Sequence, residues 1–347
     1  MRCSWSLQGR LPHDFLVSTE PAGPLPTIPD AELPRAPARE TLARLCAEIQ
    51  PGGNVRAVRR LRGGVSSGMH AVHLGGPGHA SRWVVVRRYG EWRITHYPQA
   101  PAQEWATLTA LARIGAPTPL PIWLDSAGTL FGCPTLVTSR MPGRGLLLPK
   151  DQARWVTDLA HALGKIHAAS LNPDELAILT DQRDELVHLL ERDEPPAGLA
   201  AQPGGTDVWQ VMRRLWPTIE PVSPTIVHGD YWPGNTLWLR GRLSAVVDWE
   251  QALRGDPAQD VACCRQDLAV LLGPDAAEVF LRAYETHTGR TFRQLPFWDL
   301  YMVTWSMGQL ETWLKGYHDL GRTDLSLTEA RARQTAFTQD ALRRAEG

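Results

Sequence analysis

The sequence predicts an α+β protein with two lobes, a small antiparallel β-sheet lobe hinged to a larger, mostly helical lobe. At 347 residues, the chain is too long to fold around one small hydrophobic core, which favours two lobes or domains. Apolar residues alternate with a period of two in the first half, which is typical of strands, and recur every three or four residues in the second, which is typical of amphipathic helices. We divide the chain into a Pro-rich extension with a short helix over 1–50, a β-rich lobe over 51–143 and a helical lobe over 144–347.

The composition indicates an ordinary globular protein. Hydrophobic residues make up 43% and charged residues 21%, which excludes a largely disordered chain. A net charge of -1 argues against general nucleic-acid binding. No apolar run reaches the length of a membrane span, and the start of the chain lacks the pattern of a signal peptide. The five cysteines form no CxxC pair. We therefore expect a cytoplasmic protein without a nucleic-acid or membrane partner, and its oligomeric state stays open.

Charge is divided unevenly between the two halves. Residues 1–143 carry 15 basic and 9 acidic residues, whereas the remainder carries 21 and 28. Chance and surface solvation would explain this, as would a first half that handles an anion. Only three of the 36 basic residues are lysine, at Lys150, Lys165 and Lys315. Because no lysine lies in residues 1–143, a basic side chain that binds an anion there must be an arginine.

The β-rich lobe is predicted from alternating stretches separated by glycine turns. Its elements and the helix before it are, in order, a helix over 38–49, strands over 55–61, 69–74 and 83–89, a helix over 103–114, and a strand over 136–141. The Pro-rich residues 1–37 are expected to lie over a lobe or to be partly disordered.

The helical lobe follows a glycine-rich segment, 142–145, which we take as the hinge. Helices are predicted over 151–170, 174–192, 206–216, 258–272, 275–288, 296–317 and 328–345.

One motif in the helical lobe contains candidate catalytic and metal-binding residues. Residues 228–235 read His-Gly-Asp-Tyr-Trp-Pro-Gly-Asn, and an apolar strand then ends in Asp-Trp-Glu at 248–250. A carboxylate in a tight loop, here Asp230, can accept a hydroxyl proton and direct that oxygen at phosphorus. Asn235 and Asp248 supply the hard oxygen ligands that magnesium requires. These spacings reproduce the kinase catalytic loop and the metal-binding Asp that follows it.

On these residues the chain resembles the aminoglycoside phosphotransferase and choline-kinase-like family of small-molecule kinases. Gly229 stands where protein kinases carry Arg, and Asp-Trp-Glu stands where they carry Asp-Phe-Gly. The resemblance implies a protein-kinase-like fold, ATP as the phosphoryl donor with GTP left open, Mg²⁺, and a small-molecule hydroxyl acceptor. It also implies Asp230 as the catalytic base and Asn235 and Asp248 as the metal ligands.

The resemblance further implies a nucleotide site in the β-rich lobe. The glycine loop over 63–68, with Gly64, Ser66 and Ser67, would cover the phosphates, although a glycine turn between strands is often only a turn. The apolar strand that ends in the family's phosphate-binding Lys offers Arg87 instead. Arginine has a permanent charge and a fork suited to phosphate. Arg88 is expected on the opposite face of the strand.

Two further parts of the nucleotide site follow from the resemblance. Glu104 matches the ion-pair partner of the phosphate-binding cation, and its alternative is an acid favoured at a helix N-terminus. The strand over 136–141 would meet the adenine, with Ser139 and Met141 as the contacts.

Several other residues keep two interpretations. Glu250 is an accessory metal ligand or a loop stabiliser. Asp256 and Asp260 are expected to brace the loop and cap a helix rather than contact substrate. Aromatic residues of the helix over 296–317 form a core stripe or a wall of the acceptor pocket; they are Trp298, Tyr301 and Trp305.

The predicted function is transfer of the γ-phosphoryl group of ATP to a hydroxyl of a small molecule such as a sugar, an amino alcohol or an antibiotic. One alternative is a nucleotide-binding regulator that no longer transfers phosphate, and the Lys-to-Arg departure favours it. A protein kinase is disfavoured, because no activation segment ending in Ala-Pro-Glu follows Asp248. The 13 acids and 11 bases of residues 251–347 argue against a polycationic aminoglycoside acceptor.

Overall fold

A five-stranded antiparallel sheet forms the first lobe. The computed structural model describes residues 24–61 and 67–346, so Gly64 and Ser66 lie outside the described residues. The strands are β1 Asn54–Arg60, β2 Ser67–Gly76, β3 His79–Tyr89, β4 Pro121–Asp125 and β5 Thr135–Ser139. They are arranged in the order β1-β2-β3-β5-β4, and each pair is antiparallel. The central position of β3 places its residues between β2 and β5.

Three helices accompany this sheet: α1 Arg39–Ile49, α2 Glu91–His96 and α3 Ala100–Arg113. The apolar face of α1, including the fully buried Leu45, packs on Val72, Val84 and Val137 of three neighbouring strands. Helix α3 follows β3 through the short α2, and its buried face carries Glu104. The short elements α2 and β4 were not predicted from the sequence.

The described part of the extension lies on the β-sheet lobe. Arg88 of β3 donates hydrogen bonds through Nη2 to the carbonyl oxygens of Leu33, at 3.0 Å, and of Arg35. Leu33 is buried, and a Cβ on Gly68 at the start of β2 would lie 2.6 Å from its carbonyl oxygen. Residues 24–37 are thus fixed beside the strand that follows the glycine loop.

The second lobe is mostly helical. Its elements are α4 Gln152–His167, α5 Pro173–Ile178, α6 Gln182–Leu190, α7 Ala197–Ala200, α8 Gly205–Leu215, β6 Thr225–Val227, β7 Thr236–Leu239, β8 Arg242–Val246, β9 Leu253–Gly255, α9 Ala258–Leu272, α10 Pro274–Thr288, α11 Leu295–Ser306, α12 Leu310–Asp319 and α13 Leu327–Glu346. Strands β6 and β9 pair, and β7 and β8 form a hairpin. Helix α9 is buried along almost its whole length at the centre of the lobe. None of the helices within the described ranges is long and apolar enough to cross a membrane.

Two helices predicted as continuous are interrupted. The predicted helix over 174–192 is α5 and α6, because Asp181 accepts a hydrogen bond from the Arg183 N–H at 2.9 Å and starts a new helix. The predicted helix over 296–317 is α11 and α12. Gly308 has φ +80°, a left-handed conformation that ends one helix before the next begins.

The segment taken as the hinge lies on the β7–β8 hairpin. Arg144 exchanges backbone hydrogen bonds with Trp238, at 3.2 and 2.9 Å. Gly143 has φ +115°, and a Cβ there would lie 2.9 Å from the Trp238 carbonyl oxygen. The close approach of the two backbones therefore requires glycine at this position.

Candidate active site

The loop between β6 and β7 carries the predicted base and is held from behind by α9. Both carboxylate oxygens of the fully buried Asp260 accept backbone hydrogen bonds, from the N–H of His228 at 2.7 Å and of Gly229 at 3.0 Å. Gly229 has φ +81°, and a Cβ there would lie 2.4 Å from the Gln251 carbonyl oxygen. This is why glycine stands where protein kinases carry Arg. Asp260 braces the loop, as expected.

Two buried histidines complete this brace. The Asp230 N–H donates to Nδ1 of His228 at 3.3 Å, so Nδ1 carries no proton. The proton of the His228 ring is therefore on Nε2, which donates to the Val247 carbonyl at 3.0 Å. Burial lowers the pKa of His228, which favours this neutral form. His167 of α4 contacts Asp260 through Nε2 at 3.1 Å and the Tyr284 hydroxyl through Nδ1 at 2.7 Å. Both histidines hold the loop in place.

Asp230 and Asn235 face each other within the loop. The Asn235 amide donates to the backbone oxygen of Asp230 at 3.0 Å and to its Oδ2 at 2.9 Å. Burial, with the nearby carboxylates of Asp248 and Asp267, raises the pKa of Asp230 to about 7. A carboxylate with a pKa near the working pH is suited to general-base catalysis.

Asp248 lies just after β8 in a left-handed backbone conformation, with φ +70°. Its Oδ1 accepts a hydrogen bond from Nη2 of Arg87 at 2.7 Å. Burial opposes ionisation, but the Arg87 guanidinium outweighs it and lowers the pKa of Asp248. The carboxylate is therefore ionised at neutral pH. Non-glycine residues with such strained backbones cluster at functional sites.

Arg87 is the centre of the site on the β-sheet side. Its side chain is buried and meets three carboxylates: Asp248, Glu250 at 2.7 Å from Nη1, and Glu104 at 3.6 Å from Nε. Burial would lower the pKa of Arg87, but the three carboxylates raise it. The structure thus brings together Arg87 and Glu104, the pair that the resemblance implied. Arg88 points to the opposite face of β3, where the extension binds it.

Glu104 is held by a tyrosine that the sequence analysis did not single out. The Tyr89 hydroxyl donates to Glu104 Oε2 at 2.6 Å. Burial raises the pKa of Glu104 to about 7, although Arg87 and Tyr89 oppose the rise. Glu104 lies in the second turn of α3 and is 3% exposed, so it is a buried partner of Arg87 and not an exposed helix-terminal acid. Tyr89 lies two residues after Arg87 and so faces the same side of β3, a signal that the sequence contained.

Of the other predicted nucleotide contacts that the structure describes, Ser67 lies at the Arg87 cluster, whereas Ser139 and Met141 are not hydrogen-bonded to it. Ser67 Oγ donates to Glu250 Oε2 at 2.8 Å, which links the end of the glycine loop to the Arg87 cluster. Ser139 instead bonds to Leu120, which precedes β4, through both its hydroxyl and its N–H. Within the described ranges, Ser139 and Met141 contact each other, Oγ to Sδ at 3.7 Å, and make no hydrogen bond to the Arg87 cluster.

Asp248 and Asn235 have the chemistry to hold Mg²⁺. The Asp248 carboxylate is ionised, and the Asn235 amide nitrogen binds Asp230, which leaves its oxygen as the ligand atom. The described residues contain no cluster of three His, Cys, Asp or Glu side chains suited to a metal. This donor set still fits Mg²⁺, which takes one or two protein carboxylates and completes its shell with waters and substrate phosphates.

The fold and this loop geometry define a two-lobed, kinase-like phosphotransferase. A family model described as the phosphotransferase enzyme family (APH) matches residues 57–298. The chain belongs to this family.

Similarity to individual proteins is more distant. A homoserine kinase of Mesorhizobium japonicum is 30% identical over 162 residues, which cover 44% of this chain and 49% of that protein. This chain therefore spans about half the length of such relatives.

Two solved structures share the fold. A macrolide 2′-phosphotransferase of Brachybacterium faecium is 20% identical and has a TM-score of 0.54, with 86% of this chain and 97% of that chain covered. A thermostable aminoglycoside phosphotransferase APH(4)-Ia, in a ternary complex with ADP and hygromycin B, is 19% identical and also has a TM-score of 0.54. There the match covers 88% of this chain and 98% of the other.

Proposed function

We propose that this protein transfers the γ-phosphoryl group of ATP to a hydroxyl group of a small molecule. The observation that carries the proposal is the arrangement of Asp230, Asn235 and Asp248 at one loop and strand end. A base with a raised pKa lies there beside an ionised carboxylate. Family membership and the fold support the reaction class.

In the proposed mechanism, Asp230 accepts the proton of the acceptor hydroxyl. The oxygen then attacks the γ-phosphorus, its bond to phosphorus forms as the bond to ADP breaks, and the proton stays on Asp230. Asn235 orients the Asp230 carboxylate through its 2.9 Å hydrogen bond. Mg²⁺, held by Asp248 and Asn235, would neutralise the charge of the transferred phosphoryl group. Positioning and charge neutralisation supply most of the rate in such reactions.

In the same proposal, Arg87 binds the α- and β-phosphates and Glu104 orients it. The 3.6 Å contact of these two side chains supports this. Ser67 lies at the end of the loop that would cover the phosphates, and roles for Gly64 and Ser66 stay predictions. Contact of Ser139 and Met141 with adenine, the choice of ATP over GTP, the division of the chain at 143 and a cytoplasmic location also stay predictions.

The similar proteins leave a broad range of hydroxyl compounds as candidate acceptors. The relatives and neighbours are named for homoserine and macrolides, and one is bound to hygromycin B. Screening a panel of hydroxyl-bearing metabolites and antibiotics for acceptor-dependent ADP release tests the proposal directly. A protein that binds Mg·ATP but turns over none of the panel would favour the regulator over the kinase.

The first prediction concerns the base. Asp230→Asn keeps the side-chain shape but cannot accept the hydroxyl proton, so we expect kcat to fall by about two to four orders of magnitude. The Kd of Mg·ATP, measured by calorimetry, should stay within about threefold of the wild type, since binding needs no proton transfer. Wild-type turnover in this variant would remove Asp230 from the mechanism.

A further inference from the structure

A cavity of about 1060 Å³ opens beside the candidate active site. Gly229 and Glu250 form part of its wall, so its inner end borders the loop and strand end that carry Asp230 and Asp248. Its other walls include residues of α2, α3, α6, α9 and α11. A molecule bound in this cavity would therefore lie next to the proposed reaction centre.

A buried cation, Arg93, lines the cavity. Arg93 of α2 is 7% exposed, donates through Nη2 to the Glu250 backbone oxygen, and lies with its guanidinium 4.7 Å from the Tyr97 ring centre. Its Nε is buried and has no hydrogen-bond partner. Within the described ranges, Arg93 forms no ion pair. The carboxylates of Glu185 and Asp248 act on this guanidinium only at longer range, so an anion in direct contact would stabilise it further, and its planar fork suits a carboxylate.

A second part of the cavity wall, at Glu185, has the chemistry of an ammonium site. Glu185 of α6 lies there with the Tyr301 hydroxyl 3.4 Å from its Oε2. Burial raises the pKa of Glu185, so a bound cation would relieve the cost of ionising it. Trp92 and Trp305, which are 49% and 45% exposed, also line the cavity. Exposed aromatic faces next to a carboxylate favour an alkylammonium group.

We propose that this cavity is the acceptor pocket and that the acceptor is a hydroxyl compound carrying both a carboxylate and an ammonium group. Arg93 binds the carboxylate, and Glu185 with the aromatic side chains binds the ammonium. This inference rests on the proposed kinase function and narrows its acceptor.

The ligand test uses matched compounds on the full chain in the presence of Mg·ADP. L-serine, L-homoserine and 5-hydroxy-L-norvaline vary the reach of the hydroxyl, whereas 3-amino-1-propanol lacks the carboxylate and N-acetyl-L-homoserine lacks the ammonium. We expect at least one of the three amino acids to bind by calorimetry with millimolar or lower Kd. The last two compounds should bind at least about tenfold more weakly, a loss of about 1.4 kcal/mol. Equal binding of 3-amino-1-propanol, or no binding by any of the three amino acids, would overturn the proposal.

Variants assign the two ends of the ligand. Arg93→Gln should weaken the amino acid at least tenfold but not 3-amino-1-propanol, and Arg93→Lys should recover part of the loss. Glu185→Gln should weaken both compounds. Arg44→Gln and Glu191→Gln, which change exposed residues away from the cavity, are the matched controls, and thermal melting of each variant reports folding.

Measuring the affinity for Mg·ATP distinguishes a failure of this inference from a failure of the proposed function on which it rests. We expect Arg93→Gln to change the Kd of Mg·ATP much less than the Kd of the amino acid, because Arg93 is hydrogen-bonded to the backbone of Glu250 and acts on Asp248 at longer range. If it weakens Mg·ATP and spares the amino acid, Arg93 serves the phosphates and the inference is wrong. If the wild type binds no Mg·ATP, the proposed function itself fails.

Discussion

Arg87 shows how one residue type can replace another in a nucleotide site. A lysine offers a point charge, whereas the guanidinium fork of Arg87 reaches Asp248 and Glu250 with separate nitrogens, each at 2.7 Å. Its third nitrogen faces Glu104. The cation is therefore bound from both lobes before any nucleotide arrives. Phosphate oxygens would compete with carboxylates for the same donors.

The second prediction follows from this arrangement. Arg87→Ala should weaken Mg·ATP binding by roughly 10- to 100-fold, because bonds to a charged group contribute about 1.5–3 kcal/mol each. Arg87→Lys should recover only part of this loss, since one ammonium cannot span Glu104 and Asp248 together. Calorimetry of the three proteins measures the effect.

Arg88→Met is the control on the same strand. It removes a buried cation whose hydrogen bonds, among the residues that the structure describes, go to carbonyl oxygens of the extension, so it should alter thermal stability and leave the Kd of Mg·ATP nearly unchanged. If Arg88→Met weakens the nucleotide more than Arg87→Ala does, the nucleotide does not bind on the Arg87 face of β3.

Some site residues could be predicted because their spacing along the chain is fixed by local geometry. Asp230 and Asn235 lie in one loop, and Asp248 follows the hairpin directly, so a contiguous motif specifies all three. Arg93 could not be found in this way. Its importance depends on burial beside Glu250, which is far away in sequence. No periodicity or motif marks such a contact.

Helix α9 is the element on which the active-site loop depends. Its predicted bounds, 258–272, match the observed ones. The helix is buried on all sides and still carries several charged residues, each of which needs a partner or a neutral state. Asp260 has backbone N–H groups and Arg265 has Asp299 at 3.2 Å, whereas the one hydrogen bond of the Asp267 side chain within the described part of the chain is to the Tyr317 hydroxyl, at 2.5 Å. These three charged residues therefore differ in how well the cost of their burial is compensated.

The third prediction concerns Asp267. Burial raises the pKa of Asp267 from 3.8 to about 7, so the folded state binds the proton more tightly than the unfolded state does. Its contribution to stability is therefore fully present below about pH 4 and is lost as the pH rises to about 7. Asp267→Asn should reduce the fall in the free energy of unfolding between pH 4 and 7.5, by on the order of 2–4 kcal/mol. Urea denaturation at a series of pH values measures this.

Asp299→Asn is the control for that prediction. Asp299 is fully buried between Arg265 and Arg344, so its loss leaves the buried Arg265 with the half-exposed Glu278, at 3.0 Å, as its remaining ion-pair partner among the described residues. We expect a loss of about 3–5 kcal/mol at neutral pH, the opposite direction to Asp267→Asn. An unchanged pH dependence in the Asp267 variant would show that Asp267 is ionised in the folded protein.

Element boundaries were predictable where the chain itself signals them and not where distant contacts decide. Gly273 and Pro274 mark the end of α9 in the sequence. The break between α5 and α6 has two causes, the local cap at Asp181 and a distant contact in which the Thr180 carbonyl accepts the Arg254 N–H at 3.0 Å, from a segment 74 residues away. Apolar spacing continues across this break, so periodicity alone predicts a single helix.

At the scale of the whole molecule, the described residues form two hydrophobic cores, and the larger one contains residues from both sides of residue 143. One core is small and lies between α1 and the outer face of the sheet. The larger core fills the helical lobe and also includes Tyr89 of β3, Leu108 of α3 and Leu136 of β5. The inner face of the sheet and α3 therefore share their packing with the helical lobe.

The fourth prediction is that the two cores open separately. Leu45→Ala and Leu163→Ala each remove a fully buried leucine, from the small core and from the large core respectively, and each should cost about 2–5 kcal/mol. Hydrogen exchange measured by mass spectrometry reports where protection is lost. Leu45→Ala should accelerate exchange in α1, β1 and β2 and leave α9 protected.

Leu163→Ala is the informative counterpart, because the larger core crosses from one lobe to the other. It should accelerate exchange in α4, α9 and α10, and also in α3, which lies in the first half of the chain but packs in the larger core. If the two lobes packed independently on either side of residue 143, Leu163→Ala would accelerate hydrogen exchange in the helical lobe alone. If α3 keeps its protection in Leu163→Ala, its contacts with the helical lobe contribute little to stability. The nucleotide-binding pair Arg87–Glu104 would then be fixed by the β-sheet lobe alone.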